Sequence, residues 1–149
     1  MSPIVDAQVH RILVMYHTSW LAWGEAPLEH LPSLEGQRND DVIFESDRAL
    51  LFFGRIYSGS ISVQVSARKE PADWLALEWQ QTFVRRLHLY GELGLGSLDT
   101  SMSDMPLLGA IDDGMYEVTV RMWSDPDEDE DETFDSTERV WVHIDPVPS

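Results

Sequence analysis

The chain has 149 residues, 43% hydrophobic and 10% aromatic, so it carries enough apolar material to bury a core despite its charge. Ten Lys+Arg stand against 27 Asp+Glu, a formal charge of −17, and a surface of that sign repels phosphates and anionic membranes. With no cysteine, disulfides, thiolate metal sites and thiol nucleophiles are excluded.

The strand signals begin at HRILVMYH (10–17), with Ile12, Val14 and Tyr16 on one face and Leu13 and Met15 on the other, as in a central or doubly covered strand. The stretch 19–41 holds glycines, prolines and scattered large apolar residues, and predicts a long, partly packed loop. VIFESD (42–47) and ALLFFGRIY (49–57) are rich in β-formers. SISVQVSAR (60–68) alternates, with Ile61, Val63, Val65 and Ala67 inward and Ser62, Gln64, Ser66 and Arg68 outward.

Residues 71–91 satisfy two periods. Leu75, Trp79, Phe83, Leu87 and Tyr90 fall at helical spacing, whereas Phe83, Leu87 and Leu89 partly alternate. We favour strand after Gln81 and leave 71–81 open between helix and strand. GELGLGSL (91–98) reads as a hairpin turn, since it lacks both the spacing and the following helix of a phosphate loop. A turn-rich connection follows over 99–114. MYEVTVRMW (115–123) points Tyr116, Val118, Val120 and Met122 inward, and RVWVHID (139–145) does the same with Val140, Val142 and Ile144. The expected fold is an all-β, single-domain (1–149) antiparallel sandwich of about eight strands with at most one short helix.

Between the last two strands lies the run SDPDEDEDETFDSTE (124–138), with nine carboxylates and no basic residue: Asp125, Asp127, Glu128, Asp129, Glu130, Asp131, Glu132, Asp135 and Glu138. Without those nine, 18 acidic residues still face 10 basic ones, of which Lys69 is the sole lysine. If both flanking strands bury their valines, the run becomes a long antiparallel connection. Met122 then lies opposite Val140, Arg121 opposite Trp141, and Thr119 opposite His143. Arg121 would stack on Trp141, for about 0.5–1 kcal/mol at an exposed site. Trp123 and Trp141 would face outward at the foot of the run, either as an apolar anchor for a partner or beneath a covering loop.

Three functions suit such a run. Asp127, Asp129, Asp131, Asp135 and Glu138 take the first, third, fifth, ninth and twelfth places of a calcium loop, but Glu132 occupies the place of its glycine and the flanks read as strands. Crowded carboxylates also present charge as a phosphate backbone does, and steer basic proteins. A solvated loop serving solubility is the third. His10, His17, His30, His88 and His143 form no ligand-spaced motif, and neither GxSxG nor a Walker sequence occurs. We therefore expect no enzyme activity and no cofactor or metal. The N-terminal sequence lacks a signal pattern and no apolar run reaches membrane-spanning length, so a cytoplasmic protein is expected.

The elements VMYH (14–17), the Trp- and Pro-bearing loop after it, VIFE and ALLFF (42–53), and GMYEVTVRMW (114–123) together resemble the competence-nuclease inhibitor group. The late segment, Gly114-Met115-Tyr116 and then Ile144 to Pro148, also resembles uncharacterised bacterial β-sandwich proteins with a variable acidic loop before a final strand closing on proline. The first resemblance implies a small cytosolic bacterial protein that neutralises a DNA-cleaving nuclease of the same cell. It carries over no functional residue. Charge and resemblance together predict an inhibitor or immunity protein whose partner is basic, such as a nuclease, with no direct nucleic-acid or membrane contact. The acidic residues from Asp125 to Asp135 and Glu138, with Trp123 and Trp141, are its candidate contacts. The oligomeric state is left open.

Overall fold

The computed structural model describes residues 8–27, 29, 32–38, 41–55, 58–67, 74, 77–97, 107–125, 127 and 135–148. Eight strands follow in chain order: β1 (Gln8–Met15), β2 (Thr18–Gly24), β3 (Ile43–Ser46), β4 (Ala49–Phe53), β5 (Ser58–Ala67), β6 (Gln81–Ser97), β7 (Leu107–Trp123) and β8 (Asp135–Pro146). They hydrogen-bond in the order β1-β5-β8-β7-β6-β2-β4-β3, every pair antiparallel except β5–β8. The all-β expectation and the strand count hold. Among the described residues the strands form one sheet and not two, and it curls until β1 meets β2 through Met15 and Thr18.

The curl is possible because β6 and β7 are each 17 residues long, roughly 55 Å if straight. Among the described residues, the first half of β6 pairs with β7 alone, while its second half, from Gly91, also pairs with β2. Gly91 sits at φ +74°, and a Cβ there would stand 2.6 Å from the Gly24 carbonyl oxygen. Only glycine fits where β2 joins the bend. The sheet encloses one core to which every strand contributes, among them Val14, Leu21, Ile43, Phe52, Val63, Leu89, Val120 and Val142.

Four expectations are corrected by this architecture. Residues 19–24, read as loop, lie in β2, which is buried throughout. The reason is two-faced covering: Leu21 and Trp23 enter the main core, while Trp20 and Ala22 pack with Ala49 and Leu51 on the other side. Residues 91–97, read as a turn, continue β6. Their small residues admit neighbours rather than reverse the chain, with the Trp20 indole lying over Gly96. β7 likewise starts at Leu107, inside the stretch expected to be a connection. Finally, Tyr16 leaves the β1 face for a tight turn at φ 55° and is 56% exposed. Strand after Gln81 is borne out; Trp74 alone takes helical backbone among the described residues of 71–80.

Candidate functional site

The β7–β8 register agrees with the one the valine alternation predicts: Met122 opposite Val140, Arg121 opposite Trp141, Thr119 opposite His143. The acidic run therefore connects two neighbouring antiparallel strands at one end of the sheet. Asp125 and Asp127 are described at its start and Asp135 and Glu138 at its return; Glu128, Asp129, Glu130, Asp131 and Glu132 lie outside the described residues.

Both ends of the run are held by the fold. At the start, the Gln80 side chain brackets Ser124, its amide nitrogen donating to the Ser124 carbonyl at 2.8 Å and its amide oxygen accepting from the Ser124 N–H at 3.1 Å. The Asp125 carboxylate accepts the Asp127 N–H at 2.9 Å, fixing the first turn. At the return, the Glu138 carboxylate accepts the Arg55 backbone N–H at 2.5 Å. Arg55 then reaches across, its guanidinium donating to the Asp125 carbonyl at 2.6 Å. One arginine thus ties the two ends together through charge-assisted bonds.

Glu138 is 2% exposed, so it is an internal acid and not part of the open carboxylate surface. Gly54 makes its position possible, because a Cβ on Gly54 would lie 2.5 Å from one carboxylate oxygen and 2.7 Å from the other. A carboxylate this deep is tolerable only with hydrogen-bond donors brought to it, which the Arg55 N–H supplies.

The two tryptophans separate. Trp141 is 1% exposed and does not reach the surface. The Trp79 ring covers it at 5.9 Å, Trp74 packs on Trp79 at 5.8 Å, and the Trp141 indole N–H donates to the Ser66 hydroxyl at 2.8 Å. The Arg121 guanidinium does stack on it, 4.6 Å from the ring centroid, but in a covered setting where such a contact is worth up to about 2 kcal/mol. On the face of β5 expected to meet solvent, Gln64 and Ser66 are also buried, at 3% and 0%, while Ser62 is half-buried. Sequence parity placed these groups on the correct face; what it missed is the cover supplied by Trp74 and Trp79. Trp123 stays partly open at the foot of the run, with the Arg139 guanidinium 5.7 Å from its ring.

Among the described residues, no group of three or more His, Asp or Glu side chains is placed to hold a metal ion. His88 and Asp113 pair at 2.6 Å on the exposed side of β6 and β7. Burial lowers the His10 pKa.

Two solved structures share this architecture over nearly the whole chain. One is ComJ of Bacillus subtilis, an inhibitor of the DNA-degrading activity of NucA, with a TM-score of 0.62 at 10% identity, covering 98% of this chain and 100% of that one. The chain shares the ComJ fold. The other is the product of crocagin biosynthetic gene J, with a TM-score of 0.55 at 12% identity and coverage of 97% and 100%. No family model and no curated protein matches. The resemblance drawn from residues 14–17, 42–53 and 114–123 is thus matched by the fold, at an identity too low for the sequence alone to carry it.

Proposed function

We propose that the protein is an acidic inhibitor or immunity protein that neutralises a basic nuclease in the cytoplasm, with no chemistry of its own. The fold shared with ComJ supports an inhibitor role. The observation that carries the reading is the anchoring of the acidic run at both ends, by Gln80 on Ser124 and by Arg55 between Asp125 and Glu138. Ordered roots lower the entropy lost when a charged segment docks, and dense carboxylates imitate the polyanion a nuclease is built to hold. Within this reading Asp125, Asp127 and the acids between them and Asp135 make the electrostatic contact. Trp123 supplies apolar surface beside it, and Trp141 supports from below.

The test is affinity capture from native lysate at low salt, followed by assay of DNA cleavage by whatever is retained. A nuclease should be captured and inhibited by the wild-type chain. A variant with the acids of 125–135 changed to Asn and Gln should leave cleavage intact. Capture of no nuclease, or equal inhibition by the neutralised variant, overturns the proposal.

A further inference from the structure

The turn between β1 and β2 is built from residues poorly suited to it. Met15 pairs with Thr18, so Tyr16 and His17 are its two central residues, at φ 55° and 64°. Two consecutive left-handed positions call for Asn-Gly, and bulky side chains there strain the backbone. Among the described residues no other adjacent non-glycine pair lies in that region. The surroundings hold the conformation in place. Gly54 donates its N–H to the His17 carbonyl at 3.0 Å, and the Thr18 hydroxyl donates to the Tyr16 carbonyl at 2.7 Å. What the turn presents is the Tyr16 ring, 56% exposed and, among the described residues, the one aromatic of the large apolar side chains that stand open to solvent. Strain retained beneath an exposed ring concentrates at binding and switch sites.

The position of the turn points to its partner. β1 and β8 both flank β5, with Met15 opposite Ser58 and Ser60 opposite Asp135. The turn and the return of the acidic run therefore leave the sheet at the same end, roughly 10 Å apart across it at ordinary strand spacing. One connection ties them together: Gly54 binds the turn, and Arg55 beside it binds Glu138 and Asp125. A standard interface covers about 800 Å² on each partner, a patch roughly 30 Å across, so a protein seated on the run reaches the ring as well.

We infer that Tyr16 is an apolar anchor for the same basic protein that the acidic run attracts, its ring buried in the complex on a rigid turn. The inference rests on the proposed inhibitor function and separates two tasks within it. Charge on the run governs how fast the partner arrives, and the desolvated ring governs how long it stays.

The test is Tyr16→Asn, since asparagine accepts the left-handed region. Relief of strain should raise the melting temperature by about 2–4 °C. Surface plasmon resonance with the nuclease captured by the wild-type chain should show dissociation at least about tenfold faster, with the association rate and its salt dependence within about twofold of wild type. Tyr16→Phe keeps the ring and should recover most of the bound lifetime. Iodination read by mass spectrometry should modify Tyr16 in the free chain and spare it in the complex. A melting temperature lowered by Tyr16→Asn would make the ring a packing element and overturn the inference. Wild-type dissociation of that variant, or Tyr16 iodinated equally in the complex, would overturn it too. Wild-type self-association in sedimentation velocity that Tyr16→Asn abolishes would give the ring to a second copy instead. If Tyr16→Asn dissociates like wild type while neutralising 125–135 slows association, only the anchor falls. If no nuclease is captured, or neutralising the run leaves association unchanged, the broader reading falls and the anchor with it.

Discussion

Trp141→Ala is the sharpest probe of how the foot of the acidic run is built. The ring is buried against Trp79, stacks with Arg121 and donates a hydrogen bond to Ser66. Truncating a buried tryptophan costs about 3–5 kcal/mol. The stranded Ser66 hydroxyl, itself fully buried, adds about 1 kcal/mol, although such contributions do not sum strictly. Against a typical domain stability of about 5–15 kcal/mol, that is a large share. Urea unfolding monitored by far-UV circular dichroism should show the midpoint falling by on the order of 2 M at an ordinary m-value. Trp141→Phe keeps a ring over the sheet and loses the N–H, so it should cost only about 1–2 kcal/mol. It should also leave nuclease inhibition per folded molecule unchanged, because the residue does not reach the surface. A Trp141→Ala loss below about 1 kcal/mol, or inhibition lost in a fully folded Trp141→Phe, would refute the burial argument and restore Trp141 as a surface anchor.

Other perturbations test other parts of the fold. Gly91→Ala combines a left-handed backbone with a Cβ driven onto the Gly24 carbonyl, and should cost more than about 2 kcal/mol by the same urea assay; a neutral result would mean that the β6 bend is not tight. The first half of β6 has β7 as its one strand partner among the described residues, and Arg85 covers its open edge by donating to the Val84 carbonyl at 2.9 Å while lying 4.0 Å from Glu45. Arg85→Val removes that guard, so sedimentation velocity should show concentration-dependent self-association beyond that of wild type. His10 has a folded pKa held below the ordinary value near 6.5 by burial, so the unfolded chain takes up its proton first. Stability attributable to His10 is therefore fully present above about pH 6.5 and is lost as pH falls through the lower folded value. His10→Gln should flatten that part of the stability–pH curve, and an unchanged slope would contradict the assignment.

Alternation made the late strands legible. Val118, Val120, Val140 and Val142 sit on one parity with little competition from the other, so face and register followed together. The same rule failed at Thr18–Gly24, where Trp20 and Leu21 are both buried and both faces are apolar. Nothing alternates there, and the flanking Gly24 and Pro27 look like loop residues. In β6 the glycines at 91, 94 and 96 imitate a turn because small residues also serve close packing. The site was half legible. Charge density marked the acidic run, and parity placed Trp123 and Trp141 on the outward face. Their different fates depend on Trp74 and Trp79 folding over β8, a long-range contact with no local signal. Glu138 looked like one more carboxylate of the run; its burial is set by Gly54, more than eighty residues earlier in the chain.

Ionic strength tests the central claim most directly. With the captured nuclease and the wild-type chain, the inhibition constant measured from about 50 to 500 mM salt should rise steeply, as for partners joined through screened charge. The variant neutralised over 125–135 should show a much shallower dependence. An inhibition constant that stays flat across that range would contradict polyanion mimicry by the acidic run.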